Sequence, residues 1–343
     1  MDGLYRYLVE KFELASAIST LQEIIDNKDE KAIKLAFYAI SDERYEDFKV
    51  LCKDRGIPEV CCNSFWMIFK KYNSLDLLFD VMDGTQIPAS QILNNEKVDL
   101  ISLIKSTYPN YDVDQQIIKE LLNLKFPKKT AVGAGEFFFS IFLEGCVKTE
   151  AGADLQINNI NTEVKGQQGK FHGISYPNTF NLIKNLKRYN KEHGTKIKIG
   201  RNLGDVRGSF DEFKNDIAGF TAYLLGCDIN GEFVKNAKTL FDEDYGYTRE
   251  YIQFLKGGDI QSADDWLLSM EAFALKVYSQ SENFEQVLLF NGSIPNYIPV
   301  SIVNANQSIA ALFKHFKKIN LTAVSGIDNK DVYFLLPKLT LKK

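Results

Sequence analysis

Two acidic residues and a lysine lie close together near the middle of the chain: Asp154, Glu163 and Lys165. Glu163 and Lys165 are two positions apart in an alternating segment, so in a strand their side chains point to the same side of the sheet. Val164 then points to the opposite, buried side. Asp154 stands near the start of the preceding alternating segment, and side chains paired across strands are about 5 Å apart. We therefore expect the two carboxylates and the amine to converge.

This combination of groups favours metal-assisted chemistry. Two carboxylates that face one point repel each other unless a cation lies between them, and Mg²⁺ prefers oxygen ligands of this kind. A lysine beside such an ion can orient or help to deprotonate a water molecule, or stabilise charge on a phosphoryl oxygen. Hydrolysis of a phosphodiester bond is the reaction that these groups suit.

A hairpin is expected to position the three groups. The segments 153–157 and 160–165 alternate between apolar and polar residues, and Asn158 and Asn159 stand between them. Asparagine pairs suit the tight two-residue turns that join antiparallel strands. The plain alternative is a hydrated hairpin with an ordinary Glu–Lys pair.

A buried helix is expected just before the hairpin. Gly133 and Gly135 lead into the apolar run 137–143, which Gly145 ends. A flexible, glycine-led entry followed by such a run is typical of a buried helix. Glu136 would lie in its first turn, where its carboxylate could join the metal cluster as an outer or additional ligand.

These residues resemble the active-site motif of the PD-(D/E)XK nuclease superfamily. Asp154 matches the first acid, Glu163-Val164-Lys165 matches the (D/E)XK tripeptide, and Glu136 is similar to the helix-borne glutamate of many members. Ala153 stands where the motif often has proline. The resemblance implies Mg²⁺, which Mn²⁺ could replace, bound by Asp154, Glu163 and the Val164 carbonyl, with Glu136 nearby. It also implies that Lys165 lies beside the attacking water.

Further implications of the resemblance concern the fold and the remaining site residues. Gln168 is similar to the polar residue that often follows the lysine. The implied fold class is α/β, of the α+β kind, with a restriction-endonuclease-like αβββαβ core. We expect a large all-α N-terminal domain over 1–126, the nuclease domain over 127–343, and a helical insertion within it at 210–280.

Charge is concentrated in one part of the chain. The 343 residues carry 41 Lys and Arg against 45 Asp and Glu, so the whole chain is not basic and any nucleic-acid surface must be local. The segment 164–207 is rich in lysine and arginine, and positions three or four apart share a helix face. The expected DNA-contacting residues are Lys170, Lys184, Lys187, Arg188 and Lys191.

The number and spacing of the cysteines and the hydropathy of the chain indicate the cellular compartment of the protein. The five cysteines show no C-x-x-C spacing, and an odd number does not suit a secreted disulfide framework. No run of about 18 apolar residues and no signal peptide are evident. These features predict a cytoplasmic protein that does not enter a membrane, located in the host cytoplasm or the virion if a phage encodes it.

Three functions stay open on the sequence. The first is Mg²⁺-dependent hydrolysis of DNA by an endonuclease or exonuclease of the PD-(D/E)XK type. The second is a catalytically silent structural or interaction protein with the same fold, such as a phage virion component, whose N-terminal helices bind a protein partner. The third is a nucleic-acid-binding module without catalysis.

Overall fold

The computed structural model describes most of the chain from residue 44 onwards. The described ranges are 44–93, 97–111, 113–149, 152–166, 176–199, 203–232, 246–316, 320–325 and 336–340. Two predicted site residues, Gln168 and Lys170, lie outside them, as do the first 43 residues of the expected helical domain. The chain forms two compact units, the first from 1–164 with 292–301 and the second from 165–291 with 302–343. The expected boundary at 126 and 127 falls inside the first unit.

The strands form two sheets within the described residues. The first has six strands in the order β1-β6-β5-β4-β3-β2, and the second pairs β7 with β8. The strands are β1 Val98–Asp99, β2 Cys146–Lys148, β3 Leu155–Ile157, β4 Ile160–Lys165, β5 Gln286–Phe290, β6 Pro299–Asn304, β7 Asn320–Ser325 and β8 Leu336–Thr340. The pairs β1–β6, β2–β3 and β3–β4 are antiparallel.

The predicted hairpin is present as β3 and β4. Ile157 pairs with Ile160, so the turn between the strands contains two residues. Asn158 and Asn159 have φ angles of 50° and 65°. A two-residue turn with positive φ at both positions has the twist that joins antiparallel strands well, and asparagine tolerates this conformation. The prediction of a tight Asn–Asn turn is confirmed.

Short helices pack around aromatic side chains in the first unit. They are α1 over 44–54, α2 Glu59–Lys71, α3 Leu75–Met82, α4 Ser90–Leu93, α5 Leu100–Thr107, α6 Gln115–Leu122 and α7 Ala134–Phe142. Phe65 of α2 lies 4.2 Å from Phe137 of α7 between ring centroids, and both rings are fully buried. The glycine-led apolar run is therefore a buried helix, as predicted, and it shares one core with the N-terminal helices.

The end of α1 covers the free edge of β2. The backbone N–H of Lys148 donates to the carbonyl of Arg55, whose guanidinium donates to the carbonyl of Cys146 at 2.7 Å. These bonds occupy groups that an edge strand would otherwise leave open to another chain. Gly56 allows this approach, because its φ is +73° and a Cβ there would lie 2.9 Å from the Lys148 carbonyl oxygen.

Helices make up most of the second unit. They are α8 Tyr176–His193, α9 Leu203–Ser209, α10 Ile217–Leu225, α11 Tyr247–Lys256, α12 Ala263–Ser281 and α13 Ile309–Phe316. Trp266 of α12 is fully buried and donates from its indole N–H to the Thr221 hydroxyl at 2.9 Å. The Ser262 hydroxyl accepts from the N–H of Asp265 and so caps the start of α12. The described part of the expected insertion at 210–280 is helical.

The late strands agree with the sequence pattern. β5 is buried along its whole length, which suits a continuous apolar run, and β6 is followed by the helix α13. The described chain is therefore mixed α/β, which confirms the predicted class. Within the described ranges, no helix combines the length and the apolar character that crossing a bilayer requires.

Replacing Gly56 by alanine should destabilise the protein by about 1–3 kcal/mol. Alanine is strained at positive φ, and its methyl group would crowd the Lys148 carbonyl. Urea unfolding followed by far-UV circular dichroism measures the change. The matched control is Gly208→Ala in α9, where a Cβ meets nothing within 4 Å. An equal loss of stability in both variants would contradict the role assigned to Gly56.

Candidate active site

Glu163 is a buried carboxylate in the middle of β4. It is 3% exposed, Thr162 beside it is 0% exposed, and Val164 is half-buried. Val164, expected on the buried side, is thus less buried than Glu163. Successive strand residues point to opposite faces, so the burial of Thr162 and Glu163 means that both faces of the strand are covered here.

Asp154 lies where the two strands of the hairpin separate. Leu155 pairs with Thr162, and continuing this register would place Ala153 opposite Val164. The Ala153 carbonyl instead accepts from the hydroxyl of Thr149. The Val164 N–H donates to Oδ2 of Asp154 at 2.8 Å. Asp154 therefore precedes β3 rather than lying inside it, and its carboxylate fills the gap between the diverging strands.

This hydrogen bond brings the two predicted metal-binding acids together. Two covalent bonds separate the donor nitrogen of Val164 from Cα of Glu163, so Oδ2 of Asp154 lies within about 6 Å of that Cα. The bond therefore holds the carboxylate of Asp154 close to the backbone of Glu163, the second predicted acid. Mg²⁺ takes oxygen ligands about 2 Å away, so the two side chains bind one ion only if both point to it.

Glu136 lies in the first turn of α7, as predicted, and both of its oxygens are engaged. Oε1 accepts from the Gly133 N–H at 2.9 Å, and Nζ of Lys148 lies 3.3 Å from Oε2. Glycine is needed at 133, because a Cβ there would lie 2.7 Å from Oε1. The expectation that Glu136 supplies a metal ligand stays a prediction.

Burial makes the charge on Glu136 costly. Loss of hydration raises the pKa of its carboxyl, the charge of Lys148 and the Gly133 hydrogen bond oppose this effect, and the negative charge of Glu163 adds to it. Oε2 is buried and accepts no hydrogen bond of good geometry, so the ammonium of Lys148 is its main compensation. The negative charges of the two glutamates therefore repel each other.

The carboxylates do not form a closed metal cage. Among the described residues, no three or more His, Cys, Asp and Glu side chains are grouped so that they could hold a metal ion. Mg²⁺ does not require such a group, because it is often bound by one or two carboxylates and keeps several water molecules. Asp154 and Glu163, with the backbone carbonyl of Val164, which directly follows Glu163, offer oxygen donors of that kind.

Lys165 ends β4, two positions after Glu163, and in a strand this spacing puts both side chains on one side. Its ammonium donates to the Tyr278 hydroxyl at 3.5 Å and lies 5.2 Å from the centre of the same ring. A cation over an aromatic face is attracted by the ring, so Tyr278 helps to fix the amine in place.

The predicted basic face exists on α8. Lys184, Lys187, Arg188 and Lys191 are all exposed, whereas Leu182, Ile183 and Leu186 are buried. Arg188 already has a partner within the protein: its Nε donates to the Tyr223 hydroxyl at 2.6 Å, and its guanidinium stacks over that ring. This face therefore presents lysines to solvent, at a spacing that phosphates could contact.

The N-terminal helices expose few large apolar side chains. Val60 and Met67 are 60% and 50% exposed and lie seven positions apart on α2, on one face of that helix. Single exposed apolar residues are normal on protein surfaces. The protein partner expected for these helices stays a prediction.

Three residues around the site escaped the sequence analysis: Lys148, Thr149 and Tyr278. β2, which ends at Lys148, has only three residues, too few for an alternating pattern to be recognised. Tyr278 is 113 positions from Lys165 in sequence. The contact of Tyr278 joins distant parts of the chain, whereas Thr149 bonds to Ala153 four positions away, in a segment without a recognisable pattern.

Comparison of the chain with protein-family models, with curated proteins and with solved structures finds no match. The resemblance to PD-(D/E)XK nucleases therefore depends on the motif residues and on the geometry described above.

Two replacements of Asp154 separate its structural role from its charge. Asp154→Ala removes the acceptor of the Val164 N–H and should cost about 1–3 kcal/mol of stability, because a partly buried donor loses its partner. Asp154→Asn keeps an oxygen acceptor and should cost clearly less. Urea unfolding of both variants beside the native protein provides the measurement. Equal costs would contradict the hydrogen bond as the source of stability.

Proposed function

We propose that this protein is a metal-dependent nuclease that hydrolyses phosphodiester bonds of DNA at a PD-(D/E)XK-type site. The observation that carries the proposal is the hydrogen bond from the Val164 N–H to Asp154. It joins the first acid of the motif to the residue between Glu163 and Lys165. Residues that a chance match would leave unrelated are thus neighbours.

The chemistry of the donors fits Mg²⁺. Asp154, Glu163 and the Val164 carbonyl offer only oxygen ligands, which hard cations prefer, and burial of Glu163 leaves a carboxylate that a cation would stabilise. When bound, Mg²⁺ or Mn²⁺ would lower the pKa of a coordinated water and offset charge on a phosphoryl oxygen. The chain itself supplies the orientation of the reacting groups.

Lys165 is the residue proposed to act on the water. The oxygen of the water attacks phosphorus, the bond from phosphorus to the leaving oxygen of the sugar breaks, the proton of the water passes to bulk solvent, and the leaving oxygen takes a proton from solvent. The ammonium of Lys165 orients the water and offsets negative charge on a phosphoryl oxygen. Tyr278 holds this ammonium with a hydrogen bond and its ring face, which limits the positions that the flexible side chain adopts.

The order of the elements supports a restriction-endonuclease-like core. α7 is followed by β2, β3 and β4, then by helices, and β5 stands next to β4 in the strand order. This order is compatible with the αβββαβ core that the resemblance implies, in which Glu136 would lie on the first helix and the two motif acids at the β3–β4 hairpin. The helices of 203–281 correspond to the expected insertion.

Purified protein should cut plasmid and linear duplex DNA in Mg²⁺ or Mn²⁺ and not in EDTA. Asp154→Asn, Glu163→Gln and Lys165→Met should each lower the rate at least about a hundredfold, since each removes a group assigned to the metal or to the water. Gel assays under single-turnover conditions provide the rates.

The control for this experiment is Lys214→Met, which removes a lysine paired with Asp211 on the second unit. It should cut as fast as the native protein. A folded native protein that cuts neither substrate with either ion would overturn the nuclease proposal and favour the silent structural alternative. Activity that survives in all three site variants would show a contaminating enzyme.

A second candidate function, DNA binding without cleavage, is favoured by the exposed basic face of α8. Native protein should bind a fluorescent duplex in EDTA, with affinity that falls as salt rises. The double variant Lys187→Ala with Lys191→Ala should reduce the slope of log K against log[salt] by about 1–2, because each phosphate contact contributes about 0.9. Fluorescence anisotropy over a series of KCl concentrations measures this slope.

Lys214→Ala is the matched control for the binding experiment and should leave the slope unchanged. Arg188 is not a suitable test position, because its side chain also supports Tyr223. A slope that the double variant shares with the native protein would show that the basic face does not contact DNA.

A further inference from the structure

Lys148 is a largely buried charged residue of the first unit to which the proposed nuclease function gives no role. Its backbone N–H donates to the Arg55 carbonyl at 2.9 Å, so the strand that carries it is held in place. Its ammonium lies 3.3 Å from Oε2 of Glu136, and both side chains are largely buried, 15% and 13% exposed. The contact is thus an ion pair within the site and not on its surface.

The surrounding charges explain why a cation is needed there. Glu136 and Glu163 interact unfavourably, and burial adds to the cost of keeping Glu136 ionised. The Gly133 N–H satisfies Oε1, whereas Oε2 has only the ammonium of Lys148. In nucleases with two metal ions, the ions stand about 3.5–4 Å apart and carboxylates contact both. A carboxylate beside the first ion is therefore where a second ion would bind.

We propose that the ammonium of Lys148 takes the place of a second divalent cation at Glu136, so that the site binds a single Mg²⁺. The inference rests on the proposed function, because it assumes that Asp154 and Glu163 bind the first ion. Lys148 acts as a positioning residue: it holds Glu136 through Oε2 and directs this carboxylate away from the bound ion.

A neutral side chain at position 148 should change the number of divalent ions that the site binds from one to two. Lys148→Met keeps the aliphatic length of lysine and removes its charge, which leaves Oε2 of Glu136 buried beside another carboxylate without a cation. A second divalent ion is then the available compensation. Lys148→Arg keeps the charge and should keep the native behaviour.

Mn²⁺ binding measures the number of ions directly. Electron paramagnetic resonance and isothermal titration calorimetry at pH 8 should give one Mn²⁺ per native chain and one for Lys148→Arg. They should give two for Lys148→Met, with the second ion bound at least about tenfold more tightly than any second ion in the native chain. Adding Glu136→Gln to Lys148→Met should return the count to one.

The outcomes separate the inference from the function on which it rests. Two ions in the native chain, or one ion in folded Lys148→Met, overturn the inference and leave the nuclease proposal standing. No Mn²⁺ in the native chain overturns both. Circular dichroism checks folding, and Lys148→Gln replaces Lys148→Met if the latter unfolds. Crystals of the native protein soaked in Mn²⁺ should show one anomalous peak, and two peaks would overturn the inference without any variant.

Discussion

The separation of β3 from β4 at Asp154 is the constraint on which the rest of the site depends. Up to Leu155 and Thr162 the hairpin is an ordinary antiparallel ladder. One pair further on, a carboxylate replaces a backbone carbonyl as the acceptor of the Val164 N–H. The bond satisfies a backbone donor that the divergence would otherwise leave open, and it holds an acidic side chain beside Glu163. The same hydrogen bond therefore satisfies the backbone of β4 and positions the acid of the proposed site.

Burial of carboxylates beside each other favours a functional explanation over a stabilising one. Taking a charged group out of water is costly, and a partner returns only part of that cost. Glu136 illustrates this, because its pKa stays raised despite Lys148 and the Gly133 N–H. Perturbed acids of this kind are concentrated at active sites, although structural ion pairs also produce them. The proposed metal ion would lie beside the buried carboxylate of Glu163.

The N-terminal helices contribute to the site through the edge of the sheet. The end of α1 bonds to β2 at Arg55 and covers the strand from which Lys148 extends. Phe65 and Phe137 join α2 to the helix that carries Glu136. A change in these helices would therefore reach the charged residues through packing. This dependence explains why the first unit includes both the helices and the motif acids.

Local pattern in the sequence determined the elements that could be predicted, and chain pairing decided the rest. The Asn158–Asn159 turn, the glycine-led helix and the cap at Ser262 follow from backbone preferences of a few neighbouring residues, and each is found in the structure. The greater burial of Glu163 than of Val164 did not follow from the alternating pattern of β4, because covering of both sheet faces depends on distant segments. The contacts of Lys148 and Tyr278 likewise join residues far apart in sequence. Sequence spacing named the acids, but only the tertiary structure placed Lys148 against Glu136.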